Sequence, residues 1–409
     1  MIFRFSLLIP LLGSLLLVLV SCRQKATQTS TSTSTDSDTI IFDLENIEEA
    51  GELIAVTLSG PENHFQYHGV DLGLQYLLAE QFAGNIGVRI RMEQVQDTAA
   101  LLDMLRQCKA DLIACQLPDS LLEANGLTAA GAFVDSLHTS WSVRKSSPQL
   151  SENLKAWFRP HLTDSLRQVM NRLMTMPRIQ HSNVPVMSVR KGAISAYDGL
   201  FIKYARTIQW DWRLLAAQCS QESAFDCKAV SWAGARGLMQ IMPQTANLLG
   251  VQSSELFHPE TNIMTAVKYI SQLEKKFSDV RHPVERRKFV LAAYNGGYNH
   301  IRDAMNLARH DKRNPYSWNV VSYYVLHLSE PRFYRHPVVK NGYMIGQETF
   351  NYVNRILQKW NAYVTGRHTP SPLPQADDLI NVIPHKAHKK NRFSGEGNAI
   401  LSRSDSLFN

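Results

Sequence analysis

Between residues 51 and 158 the spacing of apolar positions alternates between two periods. Leu53-Ile54-Ala55-Val56-Thr57 and Val88-Arg89-Ile90-Arg91-Met92 read as strands, and Asp111-Leu112-Ile113-Ala114 as a buried strand. Gly73 to Phe82 and Ala99 to Arg106 lie between them and read as helices. Strand and helix in alternation predict a parallel sheet with helices packed on it. A connecting helix around Leu166 to Met174 and a polar stretch follow, and from Ser195 onward only the helical period remains. Ser195 and Asp198 can form a capping box for a helix through Leu200, Ile202, Tyr204 and Ala205. Asp211 caps a second helix, Trp212 to Ser223, in which Leu214, Gln218 and Glu222 recur at intervals of four and share a face. Pro243 opens a helix that Gly250 ends; Ile263, Val267, Ile270, Glu274 and Phe277 mark a long one, and Val284 to Tyr294 another. The pattern therefore predicts an α+β multidomain chain. A single-lobe α/β domain spans 49–160, a linker 161–193, and an all-α domain 194–365.

The two ends of the chain have a different character. Arg4 followed by the apolar run Leu7 to Val20, too short to span a bilayer comfortably, reads as a cleaved export signal over residues 1–22. Its last residues, Leu19-Val20-Ser21-Cys22, resemble the bacterial lipobox, which implies lipidation of Cys22. Arg23 rather than Asp comes next, which implies anchoring in outer-membrane lipid with the folded part facing the periplasm. Residues 23–48, rich in Ser, Thr and Asp, make a solvated tether, and 366–409, rich in Pro, Ser, Asn, Lys and His, a disordered basic tail. The 409 residues are 44% apolar and 19% charged, ordinary for globular domains, with a net charge of +7. That excess favours polyanionic surroundings without choosing among nucleic acid, anionic lipid and wall polymer, and nothing else points to nucleic acid. Of the remaining cysteines, Cys108 and Cys115 are close in sequence, as are Cys219 and Cys227; an exported protein permits two local bridges, and free buried thiols are the equal alternative. The fourteen histidines form no HExxH or Cys/His cluster, so no metal or other cofactor is expected.

The chemistry is concentrated in four ordered motifs. Gln221-Glu222-Ser223-Ala224-Phe225 is followed, after the Trp232-Ala233-Gly234-Ala235 turn, by Gly237-Leu238-Met239-Gln240; then come Ala293-Tyr294-Asn295 and a late Tyr352 in Glu348-Thr349-Phe350-Asn351-Tyr352-Val353. Together they resemble the lytic transglycosylase domain, a relative of goose-type lysozyme, over residues 195 to about 362. The resemblance implies cleavage of the MurNAc-β-1,4-GlcNAc bond in peptidoglycan glycan strands, with Glu222 as the single catalytic acid and base. It also implies that Ser223, Gln240 and Asn295 hydrogen-bond sugar or acetamido groups, and that Tyr294 or Asn295 orients the N-acetyl group. Met239 would wall the cleaved bond, Gly237 would let backbone approach the sugar, and Tyr352 would hold the Glu222 carboxyl. Trp232 and Tyr298 are candidates for sugar stacking or for plain core burial.

The physics of Glu222 supports that role. A proton donor to a glycosidic oxygen must keep its proton near neutral pH, and Glu222 ends a helix rich in Leu and Ala, where apolar neighbours and the helix dipole both disfavour negative charge. Most glycosidases use two carboxylates. None of the motif residues given a role is a second one, and the neighbouring Asp226 reads as a turn cap. The resemblance supplies another route, attack by the substrate's own C6 hydroxyl to give a 1,6-anhydro end. A lysozyme-like hydrolase and a non-catalytic wall-binding lipoprotein are the two competing readings.

The α/β region, opening at Gly51-Glu52-Leu53 and returning through Trp141-Ser142-Val143-Arg144-Lys145, resembles the first lobe of a periplasmic solute-binding domain. Only 26 residues separate Ala114 from Trp141, too few for a second lobe. No arginine lies between Arg106 and Arg144 to clamp an amino-acid carboxylate. The expectation is a one-lobe remnant without a closing cleft.

Overall fold

The computed structural model describes residues 42–176, 179–180 and 193–366. The export signal, Cys22, residues 23–41 of the tether, most of the polar linker and the basic tail lie outside the described residues.

The N-terminal domain is built on a five-stranded sheet of order β4-β1-β5-β7-β6. Its strands are β1 (Glu52–Leu58), β4 (Arg89–Val95), β5 (Leu112–Pro118), β6 (Leu127–Ala129) and β7 (Thr139–Arg144), while β2 (Phe65–Tyr67) and β3 (Val70–Leu72) form a separate hairpin. The expectation of a parallel sheet holds for half of it. β1 pairs parallel with β4 and β5, in the register Leu53↔Ile90 and Ala55↔Leu112, but β7 runs antiparallel to both β5 and β6. The reason is the short return. In place of a second lobe, the chain from Ala114 to Trp141 makes only α4 (Asp119–Ala124), β6 and one turn of 3₁₀ helix before re-entering the sheet.

Helices α1 (Leu44–Ala50), α2 (Leu74–Asn85), α3 (Thr98–Arg106), α5 (Pro148–Trp157) and α6 (Pro160–Thr175) cover the sheet. Asp43 caps α1 and also accepts from Gln149 N and Leu150 N, 2.9 Å each, so the domain begins before residue 49. At the other end Leu162 and Leu166 of α6 pack on the core formed by Leu78, Phe82 and Trp141. Residues 161–176 are thus part of this domain rather than linker, because α6 has an apolar face that only α2 and the sheet cover. One buried polar bond pins the core, Trp141 Nε1 donating to Gln75 Oε1 at 2.7 Å.

The C-terminal domain is helical. Helices α7 (Asp198–Ala205), α8 (Trp212–Ser223), α9 (Pro243–Leu248), α10 (Pro259–Lys276), α11 (Pro283–Gly296), α12 (Tyr298–His310), α13 (Trp318–His327), α14 (Pro331–Tyr334) and α15 (Gly346–Thr365) surround one apolar core. One of the two expected caps forms as predicted; the N-cap of α7 is Tyr197, which makes no side-chain cap bond, so the Ser195–Asp198 box forms only in part. Asp211 accepts from Arg213 N at 3.0 Å to open α8, and Asp198 accepts from Ser195 N at 2.9 Å ahead of α7. A two-residue ladder joins β8 (Ile179–Gln180) to β9 (Val230–Ser231). Cys108, Cys115, Cys219 and Cys227 are all free, so neither local bridge forms. Cys219 is wholly buried, and burial pushes its thiol well above the usual range, which leaves it inert.

The domains meet at the carboxyl ends of β1 and β4, the edge where α/β sheets ordinarily take ligands. There Tyr343 N donates to Ser59 Oγ at 2.7 Å, Gln96 Nε2 donates to Lys340 O at 3.3 Å, and Phe65 meets Tyr343 edge to face at 5.1 Å.

Candidate active site

Glu222 is the penultimate residue of α8 and is only 1% exposed. The helix ends abruptly behind it, with Ala224 and Phe225 both in left-handed backbone (φ 52° and 65°). This turn aims the carboxyl into a cavity of about 620 Å³ instead of continuing the helix. Tyr352, on α15, donates its hydroxyl to Glu222 Oε1 at 2.5 Å and accepts from Gln218 Nε2 at 3.2 Å. Gln218 lies one turn before Glu222 on α8, so the shared face legible in the sequence becomes a hydrogen-bonded relay. Burial among Ala and Leu side chains favours the neutral form of a carboxyl group.

The candidate residues divide into those on the cavity and those behind it. Glu222, Gln240, Tyr294 and Asn295 line it, as do Trp232 and Tyr298. Asn295 Oδ1 accepts from Thr349 Oγ1 at 2.7 Å, which fixes the amide, while its Nδ2 is buried without a protein partner. Gln240 is held by its Nε2, which donates to Gly237 O (2.9 Å) and Ala229 O (3.1 Å). Tyr294 donates to Met239 O at 2.8 Å.

Three residues expected against the sugar, Ser223, Met239 and Gly237, are turned away from it. Ser223 is fully buried and its Oγ donates to Leu238 O at 2.8 Å, so it ties α8 to the 237–242 loop. Met239 is buried in the core and meets the site only through its backbone. Gly237 has φ +73°, and a Cβ there would stand 2.2 Å from Leu256 O and 2.5 Å from Asn262 Nδ2; the close approach it permits is to the protein interior. Tyr352 is 1% exposed and sits behind Glu222 as a positioning residue. Asp226 accepts from Lys228 N at 2.9 Å as a turn cap and is not among the cavity residues.

Three contributors escaped the sequence reading. Asn262, fully buried on α10, holds the site loop by accepting from Met239 N at 2.7 Å and donating to Leu256 O at 2.7 Å and Arg236 O at 2.9 Å. A polar residue beside Ile263 on the apolar stripe of α10 was the available clue. Glu348 is a second carboxyl on the cavity, but it is engaged by His68 Nε2 at 3.0 Å. The third is the β2–β3 hairpin of the α/β domain, whose residues line the same cavity. His300 lines it as well, and burial lowers the pKa of its ring, which keeps it neutral at pH 7.

The model of the Transglycosylase SLT domain family matches residues 199–317. That stretch makes up most of the helical domain and holds Glu222, Gln240, Tyr294 and Asn295, while Tyr352 lies beyond it. Over 419 aligned positions the chain is 26% identical to membrane-bound lytic murein transglycosylase F of Aeromonas hydrophila, covering 78% of this chain and 83% of that one. Among solved structures, an inactive mutant of lytic transglycosylase Slt from Pseudomonas aeruginosa is similar over 45% of this chain and 26% of its own, at 24% identity and a TM-score of 0.31. The arginine-bound domain 1 of TmArgBP is similar over 30% of this chain and 99% of its own, at 20% identity and a TM-score of 0.26.

In the helical domain the Tyr352 hydroxyl touches the Glu222 carboxyl without lining the cavity. Tyr352→Phe is therefore expected to lower kcat by roughly 10- to 100-fold, the worth of one hydrogen bond to an ionisable group, and to leave KM unchanged. Steady-state rates on purified peptidoglycan check this; a rise in KM at constant kcat would instead put the hydroxyl on the substrate.

Proposed function

We propose that the protein is a peptidoglycan lytic transglycosylase. Its reaction splits the MurNAc-β-1,4-GlcNAc bond without water and leaves 1,6-anhydroMurNAc ends, in cell-wall remodelling or turnover. The observation that carries this reading is one buried glutamic acid, Glu222, aimed into a sugar-sized cavity and braced by Tyr352.

In the first half of the reaction the Glu222 acid gives its proton to the bridging oxygen as the C1–O bond breaks, and GlcNAc leaves as an alcohol. In the second half the C6 hydroxyl of the same MurNAc closes on C1, and its proton returns to the Glu222 carboxylate. Atoms balance with no water consumed, and Glu222 ends as it began. Positive charge at the anomeric carbon is relieved by the substrate N-acetyl oxygen, a group that Tyr294 or Asn295, both on the cavity, would orient. The lysozyme-like alternative needs a second carboxylate free to act as nucleophile or base. Glu348 is the candidate, and its pairing with His68 favours the anhydro route. Digestion of purified sacculi followed by mass spectrometry separates the two, since anhydro ends are one water lighter than reducing ends. Reducing ends as the main product would overturn the lyase reading.

The reading extends to location. The lipobox-like Leu19-Val20-Ser21-Cys22 and the polar stretch after it support a lipid anchor that holds the enzyme to the outer membrane on its periplasmic side. Among the described residues no helix is long and apolar enough to cross a membrane. Cys22→Ala is expected to move the protein from the membrane fraction to the soluble one; unchanged membrane association would refute lipidation at that residue.

A further inference from the structure

The α/β domain's share of the catalytic cavity is concentrated in the β2–β3 hairpin, and the tip of that hairpin touches two separate walls. Tyr67 stacks on Trp232 with ring centroids 5.9 Å apart and planes 30° apart. A Cβ on Gly69 would lie 3.4 Å from the terminal methyl of Met242. His68 stands edge-on to the same indole at 6.1 Å and pairs through Nε2 with Glu348 Oε2 at 3.0 Å. Trp232 and Met242 belong to the segment after β9, whereas Glu348 is in the first turn of α15; both line the cavity and they are far apart in the sequence. The hairpin tip thus links two segments of the cavity lining that are distant in the sequence.

Its base is firmly held. Phe65 and Leu72, partners across the two strands, are both buried, and Gly73 lies so close to the Asn63 backbone that a Cβ would be 2.3 Å from its carbonyl oxygen. His64 bonds Asp71 at 2.9 Å, and Gln94 of β4 donates to His64 O at 2.9 Å. A tip with two anchored contacts on a base of this kind is a fixed crossbar rather than a floppy loop.

We propose that this hairpin closes one end of the glycan groove, so that a strand reaches Glu222 by threading its end as far as Tyr67 and His68. Cleavage then falls at a fixed short distance from a chain end. The inference rests on the glycan-cleaving reading of Glu222. A polymer that continues on both sides of the scissile bond needs a groove open at both ends, and the Tyr67–Trp232 stack together with the His68–Glu348 contact blocks one of them. The side chains presented at the stop, Gln66, Tyr67 and His68, carry hydrogen-bonding groups suited to the free hydroxyls of a terminal sugar. The α/β domain thereby acts as a specificity element of the lyase.

The test is a digestion of long-chain peptidoglycan sampled while most of it is still insoluble, with released products sized and weighed. The full-length protein is expected to release single disaccharide-peptide units from the first time point. The double variant Tyr67→Ala/His68→Ala is expected to shift early products toward longer oligomers. Glu348→Gln cuts the same crossbar from the helical side and is expected to shift them in the same direction, while melting curves confirm that both variants are folded. Long oligomers released early by the unaltered protein would overturn the proposal. So would variants that release the same short products faster, since the hairpin would then be a cover and not a stop. Short products with reducing ends would leave the stop intact and sink the anhydro chemistry instead, so the two failures are distinct.

Discussion

Glu222→Gln is expected to lower the rate of glycan cleavage by about a thousandfold or more, within the range that positioned proton transfer contributes to catalysis. The loss should be large because one group serves both halves of the reaction. An amide cannot give up a proton to the bridging oxygen, nor take one from the C6 hydroxyl. Folding should be unaffected. Gln matches Glu in shape, can still meet the Tyr352 hydroxyl, and removes the cost of burying an ionisable group that is 1% exposed. Release of soluble anhydro products from sacculi, measured beside a thermal melt, reads both effects at once. Near-normal lysis by the folded variant would end the claim that this carboxyl does the chemistry and would revive the non-catalytic reading.

Gly237→Ala is expected to be the more damaging change to the fold. Two costs add. The position has φ +73°, which an L side chain adopts at a cost of roughly 1–2 kcal/mol. The new methyl would also stand 2.2 Å from Leu256 O and 2.5 Å from the Asn262 amide, and Asn262 is the fully buried hub that holds the backbone of Met239, Arg236 and Leu256. Moving it leaves buried polar groups unpaired, so the total is expected near 3–5 kcal/mol, at the severe end for a single substitution. For a domain of this size that corresponds to a fall of roughly 10 °C in Tm. Gly234→Ala is the matched control. It has φ +88° but nothing within 4 Å of the added Cβ, so only the backbone cost of about 1 kcal/mol remains. Equal melting temperatures for the two variants would show that the clash with Asn262 is relieved cheaply and that the loop is softer than its hydrogen bonds imply.

These two positions also mark what could be read locally and what could not. Glu222 was legible because it is an end-of-helix residue, and everything that makes it unusual at short range is within one turn: Gln218 below it, an apolar helix around it, and a left-handed stop after it. Gly237 was legible as a residue that must lack a side chain, but not why. A positive φ and a crowded Cβ look alike in sequence whether the crowding atom is a sugar or Leu256 O, and only the packing of α10 against the loop decides between them.

The same division runs through the molecule. Residues three, four or two apart determine helix faces, caps and strands, since those contacts are set by backbone geometry alone. Hence α7, α8, the long α10, and strands β1, β4 and β5 follow directly from spacing. Tertiary structure decided the rest: that Ser223 and Met239 face the core, and that β7 returns antiparallel. It also decided that a hairpin of one domain walls the cavity of the other. Each of these depends on which surface is left for another to cover, a property of the assembled chain that no local period encodes.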